Sequence, residues 1–262
     1  MFPTISPRKI LIVLLFVLHP LAPAPAYSQA FHVDTYGSAE GLVSSIVYDV
    51  DQDHAGRMWF ATRLGLMVYD GLDWRDLTQG DVVQETGSAR IVVDDIGRIW
   101  TASRLPPIEV VLRDDQGVPI EVLRVPLEGE HITTTDLAVK TLPDSTSYLA
   151  VATTGREIAC WDGEIWRVWN TRNDVGRVFD LDYDGDSLLI AGMKGLRSWS
   201  LNDPESGPEP VSGLEDETIV ALAEASDGGK WIVGADWIGR LRSGELVRLT
   251  DGSPMDPEEA AV

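Results

Sequence analysis

A short turn-and-tryptophan pattern recurs along the chain, and its spacing limits the fold more than any other feature. Gly56-Arg-Met-Trp59 returns as Gly97-Arg-Ile-Trp100 and as Gly228-Gly-Lys-Trp231, with weaker copies at Tyr148-Leu149 and Leu188-Leu189. The aligned positions are 41, about 49, 40 and 42 residues apart, and the long step carries an extra polar stretch, Glu128 to Thr135. A second pattern keeps the same period. Tyr69-Asp70-Gly71-Leu-Asp-Trp74-Arg75 is matched by Trp161-Asp162-Gly163-Glu-Ile-Trp166-Arg167, and more loosely by Arg242-Ser-Gly-Glu-Leu-Val-Arg248. Two independent patterns at one period of about 40 residues mark a repeat architecture.

The best-preserved unit, Gly41 to Thr78, shows what one repeat is. It holds four short apolar runs, Ser45 to Asp49, Met58 to Thr62, Leu66 to Tyr69 and Trp74 to Leu77, separated by turn residues. Runs rich in Val, Ile, Tyr, Phe and Trp and broken by Gly and Asp read as strands. Asp70-Gly71 between two of them predicts a type I′ hairpin, in which both central residues take positive φ. One four-stranded antiparallel sheet cannot bury both faces alone, but sheets stacked around an axis bury one another. The fold class is therefore all-β, a β-propeller of about five four-stranded antiparallel blades, either a ring of five with its termini or part of a six- or seven-bladed ring. The blades span roughly 41–80, 81–127, 128–172, 173–212 and 213–251, and 252–262 reads as the start of a further one, which favours the incomplete ring. All nine Trp fall to the core between blades, with Ala61, Ala102, Ala191 and Gly234 allowing close approach near the axis.

Composition narrows function. With 21 Lys+Arg against 42 Asp+Glu the net charge is −21, a surface that repels phosphate backbones and anionic lipid. Nucleic-acid binding and polybasic membrane docking are excluded as leading functions. Cys160 is the single cysteine, so neither an internal disulfide nor a cysteine zinc cluster can form. It sits in the apolar run Glu157 to Trp161 and reads as a small buried hydrophobe. Residues 1–30 read as a cleavable signal peptide: Arg8-Lys9, an apolar run of nine residues from Ile10 to Leu18, then Ser28-Gln-Ala30 as the cleavage site. Nine residues are too few to cross a bilayer, which takes about 20. The mature chain is expected in the periplasm or outside the cell. Phe31 to Tyr36 reads as an orphan strand that pairs with the other end of the chain.

The motifs of the first unit carry a family resemblance. Gly41-Leu-Val-Ser-Ser, Asp53 followed by Gly56-Arg-Met-Trp-Phe-Ala-Thr62, Gly65-Leu66 and Tyr69-Asp70-Gly71 resemble the two-component regulator propeller repeat. That pattern runs Gly-Leu-Pro-Ser, Asp-x-x-Gly-x-Leu-Trp-Ile-Gly-Thr, Gly-Leu and Phe-Asp-Gly. Here Val43 replaces the proline and Ala61 the glycine, and the third and fourth repeats lose the core tryptophan. The repeat-signature residues are Gly56, Trp59, Gly97, Trp100, Trp231, Asp70, Gly71, Asp162 and Gly163. The resemblance implies a periplasmic sensor region set ahead of a transmembrane helix and a histidine kinase or diguanylate cyclase. Any membrane attachment or signalling output would lie beyond Val262, and a homodimer would form only within such a receptor.

Direct signs of chemistry are few. Asp180, Asp182 and Asp184 alternate ahead of Gly185, as at the start of a calcium loop, but Ala191 stands where the bidentate Glu belongs. This is a weak metal candidate, and an acidic strand entering a hairpin turn is the plainer reading. His32, His54 and His131 lie at no metal spacing. No catalytic residue and no cofactor are expected. The leading reading is a non-catalytic sensing module that binds an unidentified small ligand, with an oligosaccharide as the named candidate. A propeller enzyme is the alternative, since Gly97-Arg-Ile-Trp-Thr-Ala102 is similar to streptogramin lyase blades. A protein–protein scaffold is the third.

Overall fold

Every regular element among the described residues is a β-strand; the computed structural model describes residues 34–77, 87–129, 131–226, 228–242 and 245–249. Sheet 1 holds β1 (Val47–Gln52), β2 (Met58–Thr62), β3 (Gly65–Tyr69) and β4 (Trp74–Asp76). Sheet 2 holds β5 (Ser88–Val93), β6 (Ile99–Ser103), β7 (Glu109–Arg113) and β8 (Pro119–Arg124). Sheet 3 holds β9 (Thr134–Thr141), β10 (Ser147–Thr153), β11 (Glu157–Trp161) and β12 (Trp166–Asn170). Sheet 4 holds β13 (Val178–Asp184), β14 (Ser187–Gly192), β15 (Gly195–Ser200) and β16 (Glu209–Pro210). Sheet 5 holds β17 (Ile219–Glu224), β18 (Lys230–Gly234), β19 (Ile238–Arg242) and β20 (Glu245–Arg248). Each sheet is an antiparallel meander in chain order.

All five sheets belong to the compact unit Tyr36–Val262. Of the separate unit Met1–Thr35 only Asp34 and Thr35 are described, and neither is in a strand. The signal peptide, most of the expected orphan strand and residues 252–262 lie outside the described residues; within that orphan strand, Asp34 to Tyr36 take no regular structure.

The first strands of successive sheets pack in series, β1 on β5, β5 on β9, β9 on β13 and β13 on β17. Each interface has its own apolar core. Trp59, Ala61, Leu66 and Val68 meet Ile91 and Ile99 between sheets 1 and 2, and Trp100, Ala102 and Val110 meet Leu137 and Leu149 between sheets 2 and 3. Ala150, Ala152 and Ile158 meet Val178 and Ile190 next, and Leu189, Ala191 and Leu196 meet Ile219 and Ile232 last. Adjacent residues serve opposite interfaces: Ile99 and Trp100, Leu149 and Ala150, Leu188 and Leu189. Side chains alternate faces along a strand. A second strand covered on both faces therefore reads as a continuous apolar run, which is why these positions stand out in the sequence. The far face of sheet 5 is covered less: Trp231 is half-buried, Ile238 is 44% exposed and Val247 58%.

Two sequence expectations need correction. The Asp70-Gly71 connection is a four-residue loop, because Tyr69 pairs with Trp74, and only Gly71 (φ 98°) takes positive φ. The Asp70 carboxylate accepts the N–H groups of Leu72 (2.9 Å) and Asp73 (2.8 Å) and so closes the loop itself, as Asp side chains do in Asx turns. Asp162 does the same for Glu164 (3.0 Å) and Ile165 (2.8 Å). Tryptophan use differs at two positions: Trp161, Trp166 and Trp169 pack against the cores between sheets as expected, but Trp74 and Trp231 belong to none of them. Trp59, Trp100, Trp199 and Trp237 are buried, whereas Trp74, Trp161, Trp166, Trp169 and Trp231 are half-buried. Trp74 stacks on Tyr69, with ring centres 4.8 Å apart, and packs beside Phe60 and Tyr36 at the outer side of sheet 1.

Candidate functional site

The site begins with a defect that every sheet shares. The pairing of first and second strands slips by one residue between Val47 and Asp49, between Ser88 and Arg90, at Thr134 to Asp136, between Val178 and Asp180, and between Ile219 and Ala221. A bulge of this kind leaves one residue unpaired and re-aims its side chain. The unpaired residues are Tyr48, Ala89, Thr135, Phe179 and Val220. The first four line a single cavity of about 310 Å³ at the start of the first strands, the axial mouth of the stack. Arg90, Arg104, Arg177, Thr133, Thr134, Thr154 and Val178 complete its lining.

The three arginines differ in their commitments. Arg90 knits the sheets together: Nε lies 3.3 Å from the Asp136 carboxylate, Nη1 donates to the carbonyls of Ala89 (2.9 Å) and Tyr48 (3.4 Å), and Nη2 donates to the Thr135 carbonyl. The guanidinium of Arg104 lies over the Tyr48 ring and that of Arg177 over the Phe179 ring, each 5.5 Å from the ring centre. Cation–π contact holds a guanidinium by its face and leaves its in-plane donors available. Among the described residues neither Arg104 nor Arg177 forms an ion pair or a side-chain hydrogen bond. The hydroxyls of Thr133 and Thr154 lie 3.4 Å apart at the rim. Thr135 Oγ1 is fully enclosed and has no hydrogen-bond partner.

Directly after each of the first four bulges, a side chain reaches across to the next sheet. Asp49 accepts the N–H of Ile91 (3.1 Å), Asp136 that of Leu181 (2.6 Å) and Asp180 that of Leu222 (2.6 Å). Arg90 holds the equivalent place in sheet 2. Burial raises the pKa of Asp49 and of Asp180. Burial first, and then the Asp180 charge beside it, push Asp136 up to about 7 against the pull of Arg90. These carboxylates fasten the wall of the mouth rather than opening into it.

The sequence-predicted metal candidate is dispersed by this arrangement. Asp180 is committed to Leu222, the Asp182 carboxylate lies 2.5 Å from Lys230 Nζ, and Asp184 is exposed at the two-residue turn to β14. Among the described residues no group of three His, Cys, Asp or Glu stands close enough to hold a metal ion. His54 and His131 are exposed and do not line the mouth, and His32 lies outside the described residues. Cys160 is half-buried in β11, where burial pushes its thiol up to about 12. It lines a smaller cavity of about 80 Å³ between sheets 3 and 4, with Tyr148, Tyr183 and Trp199.

The repeat-signature residues lie at the other end of the sheets. Asp53 accepts the Trp59 indole N–H (2.8 Å), the backbone N–H of Arg57 (2.9 Å) and Arg57 Nε (2.6 Å), with Gly56 at φ 83° closing the turn. Asp94, Arg98 and Trp100 repeat the clasp with Gly97. Asp70, Gly71, Asp162 and Gly163 form outer hairpin loops, and Trp231 faces away from sheet 4 on β18. None of these lines the mouth. Sequence reasoning missed the mouth residues, because they belong to four different repeats and share no motif along the chain.

Comparison with known proteins places the fold. No family model matches the chain, and no curated protein matches it by sequence. Among solved structures, the extracellular domain of BT3049 from B. thetaiotaomicron, assigned to a hybrid two component system, matches at TM-score 0.57 and 18% identity over 82% of this chain and 31% of that one. The BT4673 extracellular domain from the same organism, assigned to a one component system, matches at 0.54 and 15% over 78% and 28%. A streptogramin B lyase matches at 0.59 and 13% over 82% and 72%. The chain thus spans about three tenths of the two extracellular domains it matches. At these identities the likeness establishes the fold, which is that of a β-propeller.

Proposed function

We propose that this chain is a non-catalytic extracytoplasmic sensing module that binds a small ligand in the axial mouth. The observation that carries the reading is the mouth itself. Four consecutive bulges turn their unpaired side chains into one cavity, and two arginines there hold side-chain donors that no group among the described residues accepts. Concave sites with a few convergent polar groups on a rigid frame are the usual form of a ligand pocket. The lining consists of arginine, threonine, aromatic and small apolar side chains, suited to holding a ligand more than to acid–base turnover. Extracellular domains of two-component systems among the structural neighbours support the sensing role. On this reading residues 1–30 direct export, the mature protein starts at Phe31, and the propeller is the N-terminal sensor of a longer receptor with kinase or cyclase output.

A thermal-shift screen of the purified chain against sugars, small acids, peptides and divalent cations tests the binding role. A binder should raise Tm with its concentration, and substitutions at Arg104 or Arg177 should reduce the rise at a given concentration. A binder unaffected by both would remove the mouth from the proposal. Lyase neighbours support a second reading, a propeller enzyme. Incubation with quinupristin followed by mass spectrometry separates the two: a ring-opened product would favour the enzyme.

A further inference from the structure

We infer that the mouth is an anion site: its ligand carries an oxyanion, a carboxylate, sulfate or phosphate group, held by Arg104 and Arg177. This rests on the reading of the mouth as the ligand site and adds the chemistry of the ligand.

The chain carries twice as many acidic as basic residues, yet the described lining of the mouth holds three arginines and no carboxylate. The carboxylates that directly follow the bulges are already engaged: Asp49 by Ile91 N–H, Asp136 by Leu181 N–H and Arg90, Asp180 by Leu222 N–H. Arg90 is used up in joining sheets, and among the described residues no ion pair neutralises Arg104 or Arg177. A guanidinium offers five donors in a planar fork that matches the oxygens of a carboxylate or phosphate. Here half-buried Arg104 and exposed Arg177 lie over the Tyr48 and Phe179 rings, a contact that engages the face of each guanidinium and leaves its in-plane donors turned to a ligand. The Thr133 and Thr154 hydroxyls supply neutral donors at the rim. The −21 charge of the whole chain does not forbid this. At about 0.15 M salt the screening length is about 8 Å, so distant carboxylates are muted while arginines in contact with the ligand are not.

The test is calorimetric titration of the full chain at physiological salt with inorganic sulfate, inorganic phosphate, citrate and trigalacturonate, and with neutral galactotriose as the control. At least one anion should bind saturably. The four probes separate free inorganic ions, a small organic acid and an acidic sugar as the source of the oxyanion. Arg104→Ala and Arg177→Ala should each weaken that binding about tenfold or more, the effect expected for a lost charge-assisted hydrogen bond. Arg104→Lys and Arg177→Lys keep the charge and lose the fork, and should fall between. Arg75→Ala removes an exposed arginine that bonds Gln116 away from the mouth and should leave binding unchanged. Far-UV circular dichroism confirms that each variant folds, and if an alanine variant does not, its lysine counterpart carries the test. The inference is overturned if no anion binds, if the variants bind anions as the parent does, or if only galactotriose binds. That last result would leave the sensing reading standing, which falls only if the broad screen finds no ligand.

Discussion

Sheets 1 and 2 and sheets 3 to 5 hold the turn end of their stack together by different chemistry. In sheets 1 and 2 one carboxylate does the work locally. Asp94 takes the N–H groups of Ile96 (3.2 Å) and Arg98 (2.8 Å), the Trp100 indole (3.0 Å) and Arg98 Nε (2.7 Å). Arg98 lies over the Trp100 ring and reaches the Ser145 carbonyl of sheet 3 (3.1 Å). Arg57 likewise reaches the Asp115 carbonyl of sheet 2 (2.7 Å). Sheets 3 and 4 lack the tryptophan, and sheet 5 has Ala225 where sheets 1 and 2 have Asp53 and Asp94. There lysines cross between sheets instead: Lys140 of sheet 3 lies 3.6 Å from Asp186 of sheet 4, and Lys230 of sheet 5 lies 2.5 Å from Asp182 of sheet 4. Both halves are bridged by partners more than forty residues apart, but in sheets 1 and 2 a motif within seven residues aims the bridging arginine, whereas the lysines have no such local motif. Only the first kind leaves a pattern along the chain.

The largest effect should come from removing the clasp's aromatic. Trp59 is 0% exposed, and Trp59→Ala should cost ~3–5 kcal/mol in urea unfolding, as large core truncations do. Gly117 of sheet 2 packs on that ring: a Cβ there would meet Trp59 Cζ3 at 3.1 Å and Leu77 Cδ1 at 2.5 Å, at φ 83°. Gly117→Ala should therefore also destabilise, and an unchanged urea midpoint would mean that the interface tolerates expansion.

Asp94→Ala should come next, at about 2–4 kcal/mol, because it strands a buried indole N–H and two backbone donors. Its pH signature distinguishes it from the axial carboxylates. Burial opposes charge at Asp94, but the Trp100 and Arg98 hydrogen bonds outweigh it and hold the pKa below 3.8. That stabilisation is present above pH 3.8 and is lost as pH falls through the folded value. Asp136 runs the other way. Its folded pKa of about 7 against 3.8 means that its contribution to stability falls as pH rises between those values. Asp136→Asn should flatten the pH dependence of Tm in that window, and an unchanged profile would place the titration elsewhere.

The lysine bridges should matter less. Lys230 is almost wholly buried, so Lys230→Met, which keeps the packing and drops the charge, should cost about 1–2 kcal/mol. Lys140→Ala should cost below ~1 kcal/mol, because Asp186 is 69% exposed and water screens the pair. If Lys140→Ala proved as damaging as Asp94→Ala, the contrast between the two halves would collapse.

Much of the fold was legible in the sequence because its causes are local. The repeat period, the alternation of faces and the turn residues all act within about 40 residues, so strands such as Met58–Thr62 match the reading residue for residue. The outer hairpin at Asp70-Gly71 was misjudged because the carboxylate, rather than backbone φ alone, closes that loop. Trp74 and Trp231 were misassigned because they fall on the outward faces of the first and last sheets, and packing depends on which faces end up outermost.

The amino-acid order alone determined that this chain makes small antiparallel sheets that must stack to hide their faces, since that follows from the spacing of apolar and turn residues. The mouth was decided only by the tertiary structure. Tyr48, Arg104, Thr135 and Phe179 lie up to about 130 residues apart, and no pattern along the chain links them. A one-residue slip in each ladder and the packing of each sheet on the next bring them to one cavity, because a bulge aims its side chain only once its neighbour is in place.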